Sequence, residues 1–185
     1  TPEIKEMFAM IDGERKLHSR GMGFTQLCYS NPKVRQIMAD AVVDYCKAHP
    51  LVNYLHFCLA DGFNNQCECE ECQKMRPADY YVQILNDIDE RLTKEGIDTR
   101  LTFGAYCDLL WEPEHEKIKN PDRFVLDLSP ISRVYTNSYL DINTEYNEPL
   151  PEYVRNKVTL PRSFEANFAF LNKWREGTDF DSYVF

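Results

Sequence analysis

The chain has 185 residues, of which 43% are hydrophobic and 13% aromatic; this apolar content suits one packed domain and excludes an intrinsically disordered chain. Its formal net charge of −9 argues against a nucleic-acid-binding protein, because phosphate binding depends on clustered Lys and Arg, and the basic residues here are scattered among acids. No uncharged segment approaches the roughly 20 residues that a transmembrane helix needs, so the sequence predicts no membrane span in this segment.

The first predicted elements are a strand and a helix. Residues 23–29 form a short, β-prone apolar run, which we interpret as the first strand. The pair Asn31-Pro32 predicts the start of a helix, because Asn caps the free amides of the first turn and Pro is tolerated at the first helical position. The helix ends at His49-Pro50. Its apolar residues follow at helical spacing, at Val34, Ile37, Met38, Ala41, Val42 and Tyr45.

A second strand and helix are predicted next. Residues 54–60 are almost continuously apolar, which is typical of a strand covered on both faces of a parallel sheet, and the run ends at Asp61-Gly62. A loop that carries three cysteines leads into a helix predicted over residues 79–95, which Gly96 ends. The buried face of this helix is expected to consist of Tyr81, Ile84, Leu85, Ile88 and Leu92.

The rest of the chain contains three more predicted strands and one more helix. The strands are expected at residues 100–106, 124–129 and 181–185. The helix is expected at residues 163–176. Residues 111–122 show no pattern of a long helix, and residues 133–161, in which Asn, Pro and Tyr are frequent, are expected to form a long loop.

Strands that alternate with helices indicate an α/β fold in which parallel strands are joined by right-handed crossovers. We therefore expect a single domain over residues 1–185 that forms a portion of a TIM-type (β/α) barrel. Five strands could also form an open doubly wound sheet, but no Gly-rich phosphate loop follows the first strand, as the nucleotide-binding version of that sheet requires. The start of the chain has no positive segment followed by an apolar core, so no signal peptide is predicted.

The strongest local motif is a cysteine cluster, Cys67-Glu-Cys69-Glu-Glu-Cys72. Three thiols within six residues can converge on one ion, and tetrahedral structural zinc sites use comparable spacing with a fourth ligand from elsewhere. Cys28 is our candidate for the fourth ligand, because it lies at the end of the preceding predicted strand. A structural zinc ion, a disulfide and plain reduced thiols stand as alternatives. The other three cysteines are interpreted as small core residues: Cys46, Cys58 and Cys107.

Two aspartates follow neighbouring predicted strands and are candidates for acid–base catalysis. Asp61 comes after the second strand and Asp108 after the third, which is where barrel enzymes place acids and bases. Their carboxyl groups could lie within the roughly 5–10 Å that a glycosidase pair requires. The alternatives are that Asp61 caps a turn or holds the cysteine loop, and that Asp108 is a solvated surface acid.

Four further residues are candidates for substrate binding. Tyr106 and Trp111 could stack on sugar rings, although aromatic residues at strand ends line the core at least as often. Arg133 follows the fourth predicted strand and could bind a carboxylate or hydroxyl, with a structural salt bridge as the alternative. Asn31, after the first predicted strand, completes the set. The four histidines show no metal-ligand spacing.

Taken together, these motifs resemble the domain of unknown function 4838 family. The resemblance covers nearly the whole chain, and the cysteine motif with its upstream aspartate is the most specific part. Inside the fourth predicted strand, Asp127 stands where an apolar residue or Cys would be expected. The matching segments are residues 8–15, 27–32, 61–72, 85–86, 103–106 and 129–133.

The resemblance implies a glycoside-hydrolase-like (β/α)8 barrel of bacterial proteins linked to polysaccharide use, with barrel strands beyond this segment and Asp61 at the family's acid position. One hypothesis is a hydrolase that acts on a polysaccharide or glycan with Asp61 as general acid/base. The other is a non-catalytic carbohydrate-binding or scaffold barrel, braced by the cysteine cluster through zinc or a disulfide. A carbohydrate is the expected ligand in both. The compartment stays open, and a secreted or periplasmic location is one expectation.

Overall fold

The computed structural model describes residues 2–136 and 148–185, which form a mixed α/β fold. Its helices are α1 (Pro2–Lys5), α2 (Pro32–Ala48), α3 (Pro77–Lys94) and α4 (Phe164–Arg175). Its strands are β1 (Met10–Ile11), β2 (Glu14–Arg15), β3 (Tyr54–Phe57), β4 (Arg100–Ala105), β5 (Phe124–Leu128) and β6 (Asp181–Val184). Among the described residues, no helix is both long and apolar enough to cross a membrane.

Strands β3 to β6 form one parallel sheet in which the order along the chain is also the order in space. The register pairs Phe57 with Phe103 and Gly104 with Asp127, so the carboxyl ends of the strands lie side by side. Helix α3 connects β3 to β4, and α4 lies between β5 and β6. The predicted α/β fold with parallel strands alternating with helices is therefore confirmed, with strands that end one to three residues earlier than expected.

The core lies on one face of this sheet. Leu101, Phe103 and Leu126 are fully buried beneath the helices. Tyr81 of α3 and Trp174 of α4 both contact Phe103 edge-on, with ring centroids 6.0 and 5.6 Å away. Such aromatic contacts contribute about 0.5–1.5 kcal/mol each beyond the burial of area, so Phe103 fixes both helices to the same face of the sheet.

The opposite face of the sheet, which we call the uncovered face, has no helix over it among the described residues. Along β5, Phe124, Leu126 and Leu128 are buried toward the helices, whereas Asp127 is half-buried on the uncovered face. Tyr54 on β3 and Tyr183 on β6 are 56% and 37% exposed at the two edges of this face. The sheet therefore has one covered apolar face and one open face with polar and aromatic side chains.

The connection from β4 to β5 contains no α-helix, and side chains of α3 hold it in place instead. Asp79 accepts backbone hydrogen bonds from His115 at 2.7 Å and Glu116 at 2.9 Å. One turn from the end of α3, Asp89 forms a buried ion pair of 2.7 Å with Arg123. These polar side chains on α3 therefore hold the β4–β5 connection through its backbone and through Arg123.

The predicted first strand, residues 23–29, is wrong. A 3₁₀-helix occupies Met22–Phe24, and the residues after it pair antiparallel with an earlier segment through one bridge between Phe8 and Leu27. Backbone hydrogen bonds of 2.8 and 2.9 Å flank this bridge. The apolar run is therefore buried against a neighbouring segment outside the sheet, and a short apolar run does not by itself specify its partner.

Two other local features differ from expectation. The hairpin β1–β2 was not predicted, although its turn Asp12-Gly13 has φ values of 50° and 77°, as the type I′ turn favoured by Asp-Gly requires. On α2, Ile37 and Tyr45 are exposed, whereas Ala39 and Cys46 are buried. The buried stripe of α2 is rotated because this helix packs against α3, a contact that spacing alone does not reveal.

The long loop predicted over residues 133–161 is described only in part, because residues 137–147 lie outside the described residues. Its described parts, 133–136 and 148–161, contain no helix or strand. Helix α4 follows, and its start is fixed by Ser163, whose hydroxyl accepts the backbone N–H of Ala166 at 3.1 Å. A serine at this position satisfies one free amide of the first turn.

Candidate functional site

Four cysteine thiols meet beside the hairpin β1–β2. The sulfur atoms of Cys28, Cys67, Cys69 and Cys72 all lie within 4.8 Å of one another. Cys28 Sγ lies 3.7 Å from Cys69 Sγ and 3.9 Å from Cys72 Sγ. All seven cysteines carry free thiols, so this convergence does not depend on a disulfide.

The spacing of these sulfurs fits a tetrahedral metal site. At the usual Zn–S distance of about 2.3 Å, two sulfurs of a regular tetrahedron lie about 3.8 Å apart. The two closest distances from Cys28, at 3.7 and 3.9 Å, straddle that value. Four protein ligands leave no open coordination position, so these residues would hold zinc in a structural role.

The polar surroundings of the cluster suit a negatively charged thiolate set. The backbone N–H of Met10 donates to Cys67 Sγ at 3.2 Å, and the guanidinium of Arg15 lies 3.8 Å from the same sulfur. The pKa of Cys28 is lowered well below its usual range, first because the thiol of Cys67 and then that of Cys72 hydrogen-bond to it. The pKa of Cys72 is raised, first by its hydrogen bond to Cys28.

Two residues far along the chain close the loop that carries the cysteine motif. The guanidinium of Arg155 donates to the carbonyl oxygens of Cys67 at 3.2 Å, Cys72 at 2.5 Å and Met75 at 2.7 Å. The side-chain amide of Asn156 accepts the N–H of Gln66 at 2.7 Å and donates to its carbonyl at 2.9 Å. We call residues 155–156 the strap, because they hold the cysteine loop from outside.

A cavity of about 260 Å³ lies next to this loop, at the carboxyl ends of β3, β4 and β5. It is just below the range of about 300–1,000 Å³ typical of small-molecule sites. Its lining residues include three aspartates, Asp61, Asp108 and Asp127, and three residues with hydroxyl groups, Tyr81, Tyr106 and Ser129.

Asp61 and Tyr106 meet at this cavity from neighbouring strands. Tyr106 Oη donates to Asp61 Oδ1 at 2.7 Å, and the backbone N–H of Gly62 donates to the same oxygen at 2.8 Å. Burial and, next, the hydrogen bond to Asp61 raise the pKa of Tyr106 above its usual range, so its hydroxyl keeps the proton that it donates. Both bonds end on Oδ1, and Asp61 itself is exposed and lines the cavity.

Asp108 is not the solvated acid that was considered, because only 1% of it is exposed. Its Oδ2 accepts the backbone N–H of Asn64 at 2.9 Å, so this carboxyl holds the loop that connects the cavity to the cysteines. Burial, the largest effect, raises the pKa of Asp108. The structure therefore brings Asp108 to the cavity wall and engages it in holding the loop.

The other predicted substrate-binding residues lie elsewhere. Trp111 is 3% exposed, and its indole N–H donates to Pro151 at 2.6 Å within the core. Asn31 caps α2, where its side chain accepts the N–H of Lys33 at 3.0 Å. Arg133 stacks on the ring of Tyr135 at 4.0 Å and does not line the cavity. Of the four candidates, the structure brings only Tyr106 to Asp61.

Some residues at these sites were not expected from the sequence. Cys58 was interpreted as a core residue but is exposed at the cavity. Asp127 lines the cavity although it lies inside an apolar strand, and an acid within such a run was the signal that could have identified it. Arg155 and Asn156 carry no such signal, because their partners lie 80 to 90 residues away.

Comparison with known proteins gives one family. The model of a domain of unknown function (DUF4838) matches residues 2–165 of the chain. No curated protein matches the chain, and no solved structure matches it either.

Proposed function

The chain belongs to the DUF4838 family, as its motifs indicated, and we propose that it forms part of a glycoside-hydrolase-like (β/α)8 barrel that acts on a polysaccharide or glycan. Residues 1–185 are proposed to form a single domain within that barrel. The family description names no activity, so support for a hydrolase comes from the arrangement of the sheet and the cavity.

The topology of the sheet supports a barrel over an open doubly wound sheet. In a doubly wound sheet the strand order reverses at a switch point and helices cover both faces. Here the order runs in one direction from β3 to β6, and α3 and α4 both pack on the Phe103 face. Parallel sheets are normally buried on both faces, and a closed barrel covers its inner face with its own remaining strands. The uncovered face is proposed to be that inner face.

The observation that carries the hydrolase proposal is the hydrogen bond of 2.7 Å between Tyr106 and Asp61 at the cavity. It joins an acid and a proton donor from the ends of neighbouring parallel strands, the place where barrel enzymes hold their catalytic groups. In the proposed reaction, Asp61 exchanges a proton with the attacking water or the glycosidic oxygen, and Tyr106 orients its carboxyl group. The hydroxyl and carboxyl groups around the cavity would bind sugar hydroxyls.

Asp61→Asn tests this proposal. Loss of a general acid or base typically lowers the rate about 10²–10⁴-fold, so reducing-sugar release from a panel of polysaccharides should fall by at least that lower bound. Asp98→Asn is the matched control, because Asp98 is an exposed acid before β4, at the other end of the sheet. Equal sugar release by the wild type and Asp61→Asn, or no release by the wild type, would contradict the proposal.

A non-catalytic carbohydrate-binding or scaffold barrel is the second candidate function, and the four-thiol cluster favours it. The cluster and the strap hold the loop between β3 and α3 in place. A binding surface needs such a fixed loop, and a zinc ion held by four thiolates would make it more rigid without taking part in a reaction. This function predicts sugar binding by calorimetry with no hydrolysis, and weaker binding in Cys72→Ser. Turnover of any glycoside would exclude it.

A further inference from the structure

We propose that Asp127 is the proton donor that acts together with Asp61 in this cavity, an inference that rests on the proposed hydrolase function. Asp108, the other acid on the cavity wall, is only 1% exposed and accepts the backbone N–H of Asn64. Asp127 is held differently, and three features of its position support the role.

The first feature is its orientation. The alternation of β5 directs Leu126 and Leu128 into the core and Asp127 to the uncovered face, where it lines the same cavity as Asp61. The core does not stabilise the carboxyl group of Asp127, because the residues on either side of it in β5 are apolar. Its side chain instead lies at the cavity, where Ser129 and Tyr183 hydrogen-bond to it.

The second feature is the space beside it. The residue paired with Asp127 on β4 is Gly104, which also lines the cavity. A Cβ atom added at Gly104 would have no neighbour closer than 3.9 Å, that neighbour being Tyr106 Cβ. The missing side chain therefore leaves room between Tyr106 and Asp127, the place where a ligand in contact with both would lie.

The third feature is that no ion pair with a lysine or arginine engages Asp127 among the described residues. Ser129 Oγ lies 3.4 Å from its Oδ1. Burial raises its pKa, against smaller opposing effects of Tyr183, His56 and Ser129. The other titratable groups facing it are Cys58 and Tyr81, whose pKa values are raised first by burial and to a smaller extent by the charge of Asp127.

The distance between the strands indicates the type of reaction. Asp61 follows β3 and Asp127 lies on β5, with β4 between them. Neighbouring strands are about 4.8 Å apart, so the two acids start from strands about 9.6 Å apart, close to the roughly 6.5–9.5 Å between the carboxyls of inverting glycosidases and well above the roughly 5–5.5 Å of retaining ones. That spacing leaves room for a water molecule.

The reaction proposed for these two acids is hydrolysis of a glycosidic bond. Asp127 donates its proton to the glycosidic oxygen as the bond from that oxygen to the anomeric carbon breaks. Asp61 takes a proton from a water molecule, whose oxygen attacks the anomeric carbon from the other side. The products are a free alcohol and a sugar of inverted configuration, and the two carboxyls exchange their protons with solvent before the next cycle.

Leaving-group dependence tests the assignment, with methyl and 2,4-dinitrophenyl glycosides as the probes. A dinitrophenolate departs without a proton, so Asp127→Asn should lose about 10²–10⁴-fold in kcat/KM on methyl glycosides but less than about tenfold on dinitrophenyl glycosides. Asp61→Asn should lose activity on both. Asp122→Asn is the matched control, because this exposed acid precedes the other end of β5. The high-pH limb of the wild-type kcat/KM profile should disappear in Asp127→Asn.

Each outcome decides the question. If Asp127→Asn keeps wild-type activity on both probes, or loses it equally on both, Asp127 is not the donor, while loss in Asp61→Asn still supports the proposed function. If the wild type hydrolyses no member of the panel, both proposals fail. Retained configuration of the product by NMR overturns the inverting pair. If Asp127→Asn does not fold, Gly104→Ala replaces it: kcat/KM should fall at least about tenfold at an unchanged melting temperature, and unchanged kcat/KM overturns the inference.

Discussion

Replacing Cys67 with serine should abolish metal binding by the four-thiol cluster. Cys67 is 2% exposed and its sulfur is one of four within 4.8 Å, so its loss leaves three thiols and an open position. Structural zinc sites depend on all four ligands, because the binding free energy is spread over the complete tetrahedron. We expect close to one zinc ion per chain in the wild type and a small fraction of that in Cys67→Ser.

The stabilisation by the metal can be estimated from mass action. Zinc that binds only the folded chain, at a free concentration 100 times its dissociation constant, stabilises the fold by about 2.7 kcal/mol. For a chain of this size, 1 kcal/mol shifts the melting temperature by about 2–4 °C. A strong chelator should therefore lower the melting temperature by about 5–11 °C in the wild type and have little effect in Cys67→Ser.

Metal analysis by plasma mass spectrometry, combined with melting curves with and without chelator, measures both quantities. Cys58→Ser is the control, because this exposed thiol lies outside the cluster and its loss should leave zinc content unchanged. A wild-type chain that binds no zinc after refolding with one equivalent would refute the metal site. Equal zinc content in Cys67→Ser would refute the proposed ligand set.

Three further predictions concern the residues that hold the fold and the loop. Arg155→Met removes three hydrogen bonds from a charged donor and should lower the free energy of unfolding in urea by about 2–3 kcal/mol. The control is Lys157→Met, at an exposed position nearby, which should change that free energy by less than about 0.5 kcal/mol. Arg123→Met leaves the buried carboxylate of Asp89 without its partner and should cost about 3–5 kcal/mol; a loss below 1 kcal/mol would contradict the buried ion pair. Asp108 has a raised pKa, so it contributes stability below its unfolded pKa of about 3.9 that is lost as pH rises through its higher folded pKa. Asp108→Asn should therefore gain in relative stability between pH 4 and pH 7, and a relative loss over that range would argue against burial of the charge.

The parallel sheet could be predicted from apolar runs that alternate with helical patterns along the chain. In β4, Leu101 and Phe103 are buried on the helix side, and Thr102 between them is also buried, as expected of a strand in a parallel sheet. The segment at residues 23–29 shows a similar run but lies outside the sheet. The apolar residues therefore identify which segments are buried. Only the backbone pairing in the structure distinguishes a strand of the sheet from an isolated β-bridge.

The convergence of the four thiols was predicted, but the reason for including Cys28 was wrong. Cys28 was chosen because it was expected to end a parallel strand, whereas it reaches the cluster through antiparallel pairing next to Phe8. The order of strands predicts that Asp61 lies beside Asp108, and it is Tyr106, two residues before Asp108, that hydrogen-bonds to Asp61. The buried position of Asp108 could not be predicted, because it depends on the path of a loop without periodicity.

The strap has a consequence for the order in which the chain is completed during synthesis. Arg155 contacts the carbonyl of Cys67 across 88 residues of sequence. A nascent chain that has emerged as far as Cys72 thus contains all four cysteines of the cluster but not yet Arg155, whose guanidinium hydrogen-bonds to their loop. Until β4, β5 and the following loop have been translated, the cysteine loop lacks these three hydrogen bonds, so an ion bound by the four thiols would be what holds it in that interval.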